Sequence, residues 1–350
     1  MTGARRAADT VDDGVAVQAN RQRAWRRFTL RVFASIALLS IVLWILPWDE
    51  VRGAFGRVPA AAFLAAIGIY MSLHLLGAAK WRLVVNAAGA DISMLDAVRF
   101  YWAGLFGNLF LPSVVGGDVV RAGLALRHAR SKTGLVLGSV VDRIVDVLGL
   151  AAVAGLGVLM LPTALDARSR GVFLGLFALL SAGGLVVAGL GYLFLKRRLS
   201  FRVRRGVVGL RRAVRTMKGR PSVVIATFLM GVTLQVSLVI LTAWLGRLCG
   251  IDAPIQVWLF VWPLAKISAL VPLTQGGLGV REAAQAALFA PFGVAASLAV
   301  AVSLVFQGVI IAGGLIGGGL SFLLGRRAQR REANDGAAVA VRDELAFRQR

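Results

Sequence analysis

The sequence contains little of what disulfide scaffolds, metal centres and histidine catalysis require. Cys249 is the only cysteine, and His74 and His128 are the only histidines among 350 residues. One cysteine forms no intrachain disulfide, and the clustered cysteines and histidines of a zinc site are missing. A phosphate-binding loop of the nucleotide-hydrolysing type is also missing. We therefore expect no metal, no cofactor and no ATP hydrolysis by this chain.

Apolar residues, in contrast, are abundant. Of the residues, 58% are hydrophobic, and the mean hydropathy is +0.76, whereas soluble domains carry about 45–50% apolar residues. Several runs approach the roughly 20 apolar residues that cross a bilayer. Residues 1–27 are polar and basic and do not have the pattern of a cleaved signal peptide. The composition predicts an all-α integral membrane protein, and the high content of Ala, Gly, Val and Arg is typical of a GC-rich bacterial genome.

The apolar runs predict six full membrane spans and two shorter stretches. The full spans are residues 29–47, 59–78, 134–161, 171–195, 221–247 and 294–322. The shorter stretches, 97–111 and 255–271, each run into a proline and then a glycine pair. We predict that each forms a re-entrant broken-helix hairpin, because non-helical backbone at membrane depth survives only against protein or a watery cavity.

The predicted domains are a basic tail over 1–28, a transmembrane domain over 29–325 with halves of about 29–161 and 171–322, and a disordered tail over 326–350.

The net charge of +23 is concentrated in three segments. Residues 1–31 carry seven arginines, 196–220 carry eleven basic residues and no acid, and 323–350 carry seven arginines against four acids. Cytoplasmic loops carry such an excess of Lys and Arg, so we place these segments and both termini on the cytoplasmic side of a bacterial inner membrane. Eight full spans would put the eleven-cation loop outside. We expect these segments to contact anionic lipid headgroups rather than nucleic acid.

The two short stretches end in the same pattern, 160 positions apart. Residues 112–121 and 272–281 both read Pro-x3-Gly-Gly-x3-Arg. The same offset carries span 59–78 onto the fifth span and 134–161 onto the sixth. Each half then contains three full spans, an odd number, so we predict that the second half is inverted relative to the first. Inverted repeats with broken helices are a common transporter plan, with the binding site near the midplane.

The residue types of these hairpins fit an anion site. Proline ends a helix, paired glycines allow close backbone approach, and a helix that restarts offers free N–H groups to an anion. Arg121 and Arg281 would lie within a turn of these ends, and a guanidinium suits phosphate. The alternative is that both arginines pair with neighbouring acids or anchor helix ends. The hairpin motif residues are Pro112, Gly116, Gly117, Pro272, Thr274, Gly276, Gly277 and Gly279.

Further charges lie inside the predicted spans. Asp142 and Asp146 are four residues apart and share a helix face, and Arg143 can pair with Asp146. The bases would hold a phosphate and the carboxylates an amine or a proton, or all of them would be structural ion pairs. The candidate substrate-binding residues are Arg121, Arg143, Lys266, Arg281, Asn108, Asp118, Asp142, Asp146 and Glu282.

Two further patterns carry a weaker signal. Asp142-x3-Asp146 is similar to the acidic magnesium motifs of membrane prenyl- and alcohol-phosphate transferases, but those need more carboxylates than this span has. Lys80-Trp81-Arg82 could bind a lipid headgroup, and we predict instead that it is a basic anchor at the membrane interface. We assign no catalytic residue and favour transport over an enzymatic activity.

In combination, these motifs resemble the lysylphosphatidylglycerol synthase transmembrane region, also called the flippase-like domain family. The resemblance covers residues from about 30 to 325 and rests on Lys80-Trp81-Arg82, 107–112, Gly117-Asp118, Arg121, 139–146 and 272–282. It implies a bacterial membrane domain that translocates lipids, and longer members move aminoacylated phosphatidylglycerol. Those members also carry a cytoplasmic domain that transfers an amino acid from charged tRNA. The residues after the sixth span are too few for that domain, so we expect no synthesis of lysyl-lipid.

The sequence therefore predicts a flippase or transporter for an anionic or zwitterionic phospholipid, an aminoacylated one included. The first alternative is a non-catalytic membrane subunit that presents lipid to a separate aminoacyl- or glycosyl-transferase, and a neighbouring gene for such an enzyme would favour it. The second alternative is a non-transporting scaffold. In that case charge-conserving swaps within the ion pairs would keep full function.

Overall fold

The computed structural model describes residues 48–110, 116–161, 219, 221–268 and 279–348. Within these ranges the regular structure is helical and no strand occurs, so the prediction of an all-α protein is confirmed for this part of the chain. The helices are α1 (Trp48–Gly56), α2 (Ala60–Ala87), α3 (Met94–Phe110), α4 (Gly116–Ala125), α5 (Lys132–Met160), α6 (Pro221–Cys249), α7 (Ile255–Ser268), α8 (Val280–Phe289) and α9 (Ala296–Arg348). A short 3-10 turn, Ala290–Phe292, joins α8 to α9.

Four of these helices are long and apolar enough to cross a bilayer: α2, α5, α6 and the segment Ala296–Arg327 of α9. The chain is therefore a multi-pass membrane protein. The four helices match four of the predicted spans, 59–78, 134–161, 221–247 and 294–322. The predicted spans 29–47 and 171–195, and the basic loop 196–220 apart from Gly219, lie outside the described residues.

The predicted short stretches correspond to α3 and α7, which have 17 and 14 residues. A ten-residue helix follows each of them, α4 after α3 and α8 after α7. Gly116 and Gly117 open α4, and Gly279 precedes α8 with a φ of 83°, a value that glycine adopts without strain. The other hairpin motif residues lie outside the described part of the chain: Pro112, Pro272, Thr274, Gly276 and Gly277.

The order of helices repeats at the offset that the sequence predicts. Shifting α2, α3, α4 and α5 by 160 positions places their first residues within about four positions of the first residues of α6, α7, α8 and α9. The packing repeats as well, since α2 contacts α5 as α6 contacts α9, and α3 contacts α4 as α7 contacts α8. Between the halves, α3 packs on α9 as α7 packs on α5, and α2 packs on α6. The packing pattern is unchanged when the halves are exchanged, as expected for an internal repeat.

Small residues bring α3 and α4 into direct backbone contact. A Cβ atom on Gly104 would lie 2.8 Å from the carbonyl oxygen of Gly117, and a Cβ on Gly117 would overlap the carbonyl oxygen of Gly104. Glycine at both positions permits this approach, which is common between membrane helices. The contact fixes α4, the helix that carries Asp118 and Arg121, against α3.

The last helix extends beyond the membrane-spanning segment. The sequence predicts a disordered tail from residue 326, whereas α9 continues through Arg348. Residues 326–348 are rich in Ala and Arg, which have high helix propensities. An existing helix also propagates into such a sequence without a new nucleation step.

Candidate functional site

A cavity of about 550 Å³ lies between the two halves of the repeat. Each of the eight helices from α2 to α9 contributes lining residues, so neither half encloses the cavity alone. Its wall is mostly apolar and carries a limited number of charged and polar side chains. A mostly apolar wall with a few placed polar groups is typical of a small-molecule binding site.

Lys80 lies at the centre of a buried ion-pair network in the first half. Its Nζ atom lies 2.6 Å from Asp142 Oδ1 and 2.8 Å from Asp146 Oδ1. Because both aspartates lie on one face of α5, a single ammonium group on α2 reaches both of them, and the expected shared face is confirmed. The prediction that Lys80 anchors the membrane interface is wrong. Its side chain is 1% exposed, and two carboxylates neutralise it in the protein interior.

Arg121 extends this network to α4. Its Nη2 atom lies 3.1 Å from Asp118 Oδ1 and 3.4 Å from Asp142 Oδ2. The guanidinium carbon lies 4.8 Å from the centroid of the Trp81 ring and 5.0 Å from that of Tyr101, distances at which cation–π attraction is favourable. One buried charge therefore connects α2, α3, α4 and α5.

Arg143 is the most exposed cation of the same network. Its side chain is 44% exposed, whereas that of Asp118, which its guanidinium contacts, is 14% exposed. Its Nη1 atom also lies 3.9 Å from Asp146 Oδ2, so the predicted pairing of Arg143 with Asp146 is confirmed. Both Arg143 and Asp118 line the cavity.

The second half carries a smaller polar network around Arg281. Its Nη2 atom donates to Glu282 Oε1 at 2.7 Å and to Gln307 Oε1 at 3.0 Å. Glu282 is fully buried, and its other oxygen, Oε2, accepts the backbone N–H of Gly279 at 2.6 Å. Ser303 donates to Glu282 Oε1 at 3.0 Å. The carboxylate therefore caps the start of α8 and neutralises Arg281.

Lys266 on α7 differs from the other cations of the site. Its Nζ atom donates to Gln235 Oε1 at 3.0 Å and lies 4.7 Å from the centroid of the Trp262 ring. Within the described residues no carboxylate lies within ion-pairing distance of it, while Lys80, Arg121, Arg143 and Arg281 each contact at least one. Among the described residues, Lys266 thus faces the cavity with neutral partners only.

Asn108 holds the end of α3 against the start of α4. Its Oδ1 atom accepts the backbone N–H of Gly117 at 2.7 Å. The sequence predicts that N–H groups at these helix starts bind an anion. At Gly117 and at Gly279 the N–H group instead donates to a side chain of the protein, Asn108 and Glu282 respectively. An anion would therefore meet the arginine and lysine side chains rather than these two N–H groups.

Three buried residues of the cavity wall carry polar atoms without a hydrogen-bond partner in the described part of the chain. The atoms are both ring nitrogens of His74, the Nε2 atom of Gln285 and the Nε atom of Arg121. Their residues are 8%, 2% and 4% exposed. Buried polar atoms are almost always hydrogen-bonded, so this part of the wall is suited to a ligand that supplies the missing partners.

The opposite part of the wall is apolar and reaches the outer surface of the helices. Leu109 and Phe110 at the end of α3, and Ile311 and Leu315 on α9, line it. Phe110, Ile311 and Leu315 are 57%, 43% and 50% exposed. The cavity therefore combines a charged part of the wall with an apolar, exposed part that is formed by the end of α3 and by α9.

Most of the predicted substrate-binding residues line the cavity. Those that line it are Arg121, Arg143, Lys266, Arg281, Asn108, Asp118 and Asp146. Asp142 and Glu282 lie behind the wall and contact the lining cations. Sequence reasoning missed the roles of Lys80, His74, Gln235 and Gln285. Lys80, His74 and Gln235 are polar residues within long, mostly apolar helices, and this is the signal that could have found them. Gln285 lies in the short helix α8 beside Arg281 and Glu282, and no sequence signal distinguishes it.

The family of the chain follows from its sequence. The family model of the lysylphosphatidylglycerol synthase TM region matches residues 31–318. The chain belongs to this family. The matched region contains every residue that lines the cavity. No curated protein and no solved structure matches the chain. Family membership and the apolar helices together make it a membrane protein related to lipid handling.

Proposed function

We propose that this chain is a bacterial inner-membrane flippase that moves an anionic or zwitterionic phospholipid between leaflets. The observation that carries the proposal is the two-part cavity, with charged side chains on one part of its wall and exposed apolar side chains of α3 and α9, which we propose form its opening, on the other. A phospholipid has the same division, a charged headgroup joined to apolar chains. The cavity volume of about 550 Å³ falls within the range of about 300–1,000 Å³ of ligand sites.

The helix lengths support the predicted re-entrant hairpins. At about 1.5 Å per residue, α3 and α7 are about 25 and 21 Å long, and α4 and α8 about 15 Å, all shorter than the roughly 30 Å of a bilayer core. We propose that α3–α4 and α7–α8 enter and leave on one side each. With spans 29–47 and 171–195, each half then has three full spans and the halves are inverted. The termini lie in the cytoplasm, the first hairpin opens to that side, and the second opens to the outside.

The depth of the charges fits a site near the middle of the membrane. Asp142 lies ten residues after the start of α5 at Lys132, about 15 Å along the helix axis. Lys266 lies eleven residues after the start of α7 at Ile255, about 16 Å along its axis. In the proposed topology these helices enter from opposite sides. Both charges then lie close to the midplane, where inverted-repeat transporters bind their substrates.

The side chains have separate tasks in this mechanism. Arg121, Arg143, Lys266 and Arg281 bind the headgroup phosphate, and the carboxylates hold these cations in place. A single charge at the bilayer centre costs about 2.5–3.5 kcal/mol on insertion scales. A polar cavity open to the lipid phase lowers that barrier for the headgroup, while the acyl chains remain in the apolar opening between α3 and α9.

A matched pair of substitutions tests whether lipid passes through this opening. Ile311 and Ile316 lie on α9 with similar exposed fractions, 43% and 45%, but Ile311 lines the cavity and Ile316 does not. We expect Ile311→Trp to slow lipid movement at least about tenfold, which corresponds to roughly 1.4 kcal/mol in the barrier. We expect Ile316→Trp to behave like the wild type. The measurement is leaflet translocation in liposomes of labelled phosphatidylglycerol, its lysyl ester and an undecaprenyl-linked sugar.

The outcomes separate the functional alternatives. Movement of one lipid class that Ile311→Trp alone abolishes supports the flippase and names the class. Equal slowing by both variants contradicts passage between α3 and α9. If folded wild-type protein moves none of the lipids, the proposal fails, and the chain is better interpreted as a membrane subunit that presents lipid to a separate transferase.

A further inference from the structure

The carboxylates of the site already have internal partners. Asp118 contacts Arg121 and Arg143, and Asp142 contacts Lys80 and Arg121. Asp146 likewise contacts Lys80 and Arg143. A buried ion pair is strongly destabilised when one partner is withdrawn, because the other charge is then left uncompensated. The carboxylates of this half are therefore poorly placed to release their partners and bind an amine of a substrate.

The second half leads to the same conclusion. Its carboxylate, Glu282, is fully buried and is engaged by Arg281, Ser303 and the Gly279 N–H group. Together the described residues of the two halves place five cations against four carboxylates around the cavity. One positive charge is in excess, and it belongs to Lys266.

Among the described residues, the wall atoms without a hydrogen-bond partner are mainly donors, and the carboxylate oxygen among them, Asp118 Oδ2, is in ion-pair contact with Arg143. Lys266 has only the Gln235 oxygen and the Trp262 ring as partners in the described residues. The free atoms of Gln285 and Arg121 are both N–H donors. His74 adds a donor in either tautomer, since one nitrogen of a neutral imidazole carries a proton. A ligand that completes these contacts must supply acceptor atoms and negative charge.

We infer that the cavity selects a phospholipid whose headgroup carries an anionic phosphate and no cationic group, with Lys266 as the specificity-determining residue. This inference rests on the proposed function and narrows its substrate class. The phosphate oxygens accept from Lys266 and from the free donors, and the lipid charge balances the excess cation. An aminoacylated or choline headgroup would bring its own cation into a cavity that has no free carboxylate among the described residues.

A binding experiment tests the inference without any need for transport. Delipidated full-length protein in detergent is titrated calorimetrically with the dihexanoyl forms of phosphatidylglycerol, its lysyl ester and phosphatidylcholine, and with inorganic phosphate. We expect phosphatidylglycerol to bind at least about tenfold more tightly than the two cation-bearing lipids, the size of effect that one charge-assisted hydrogen bond supplies. Weak binding of inorganic phosphate would show that the acyl chains contribute. Phosphate binding as tight as that of the lipid would overturn the assignment to a lipid.

Two substitutions at one contact make the test specific. Lys266→Met removes the excess charge, and Gln235→Glu supplies the carboxylate that Lys266 lacks, at an atom already 3.0 Å from its Nζ. We expect each to lower the affinity for phosphatidylglycerol to that of phosphatidylcholine. Gln235→Glu conserves shape and adds an ion pair, so misfolding does not explain a loss in that variant. Arg247→Gln, at an exposed position of α6, is the matched control and should leave the affinity unchanged.

The result also separates this inference from the proposed function. Tighter or equal binding of the lysyl ester by the wild type overturns the inference, even if the protein translocates lipid. Unchanged affinity for phosphatidylglycerol in both variants also overturns it. Selective binding that both variants abolish supports it, even if liposome assays detect no movement and the flippase proposal fails.

Discussion

Lys80→Met is expected to lower the free energy of unfolding by about 3–5 kcal/mol, because it leaves buried carboxylates without their shared cation. Lys80 is 1% exposed and holds Asp142 and Asp146 at 2.6 and 2.8 Å. Methionine keeps the length and apolar stem of lysine, so the change removes mainly the charge. The measurement is reversible unfolding of the purified protein in mixed micelles.

Two further variants control for this effect. Lys132→Met makes the same substitution at the exposed first residue of α5, where we expect a change within about 0.5 kcal/mol. Adding Asp142→Asn to Lys80→Met removes one of the two carboxylates that lost Lys80 and should restore part of the stability, as coupled neighbours do in double-mutant cycles. If Lys80→Met were as stable as Lys132→Met, the network would not hold the first half together.

Arg281→Gln is expected to reduce lipid translocation by about 10- to 100-fold. Arg281 lines the cavity and is 16% exposed, and in the proposed mechanism it donates to the headgroup phosphate. Loss of a hydrogen bond to a charged group corresponds to about 1.5–3 kcal/mol, which gives a rate change of this size. Initial rates in liposomes measure the effect, with the amount of folded protein determined for each preparation.

A conservative substitution and a distant one distinguish the loss of phosphate binding from a general destabilisation of the protein. Arg281→Lys keeps the charge but loses the planar fork that suits phosphate, so we expect an intermediate rate. Arg247→Gln removes an exposed arginine at the end of α6 and should leave the rate unchanged. Equal rates of lipid translocation for the wild type and Arg281→Gln would show that Arg281 does not bind the lipid during translocation.

The repeat could be predicted from the sequence because short sequence patterns indicate it. The Pro-x3-Gly-Gly-x3-Arg pattern marks the starts of α4 and α8, and apolar runs of sufficient length mark α2, α5, α6 and α9. These patterns depend on the residue types within a short segment and on the thickness of a bilayer. They do not depend on which helices pack against each other. Whether residues 326–348 are helical could not be predicted in this way, because a composition that suits a polar tail suits a helix equally well.

The charge balance of the site could not be predicted in the same way. The spacing of Asp142 and Asp146 places them on one face, but their partner Lys80 lies more than 60 positions earlier. The choice between a buried pair and an interfacial anchor depends on how α2 packs on α5. The neutral environment of Lys266 likewise depends on the packing of α6 beside α7, which puts Gln235, rather than a carboxylate, next to it.

In the proposed function, a phospholipid occupies the cavity between the two halves. Photo-crosslinking in proteoliposomes with a diazirine-labelled phosphatidylglycerol, followed by peptide mapping, tests it most directly. We expect labelling at Leu109, Ile311 or Leu315 that an excess of unlabelled phosphatidylglycerol suppresses. Labelling confined to outward-facing residues such as Leu64 and Leu229, 67% and 58% exposed, and insensitive to that excess, would contradict it.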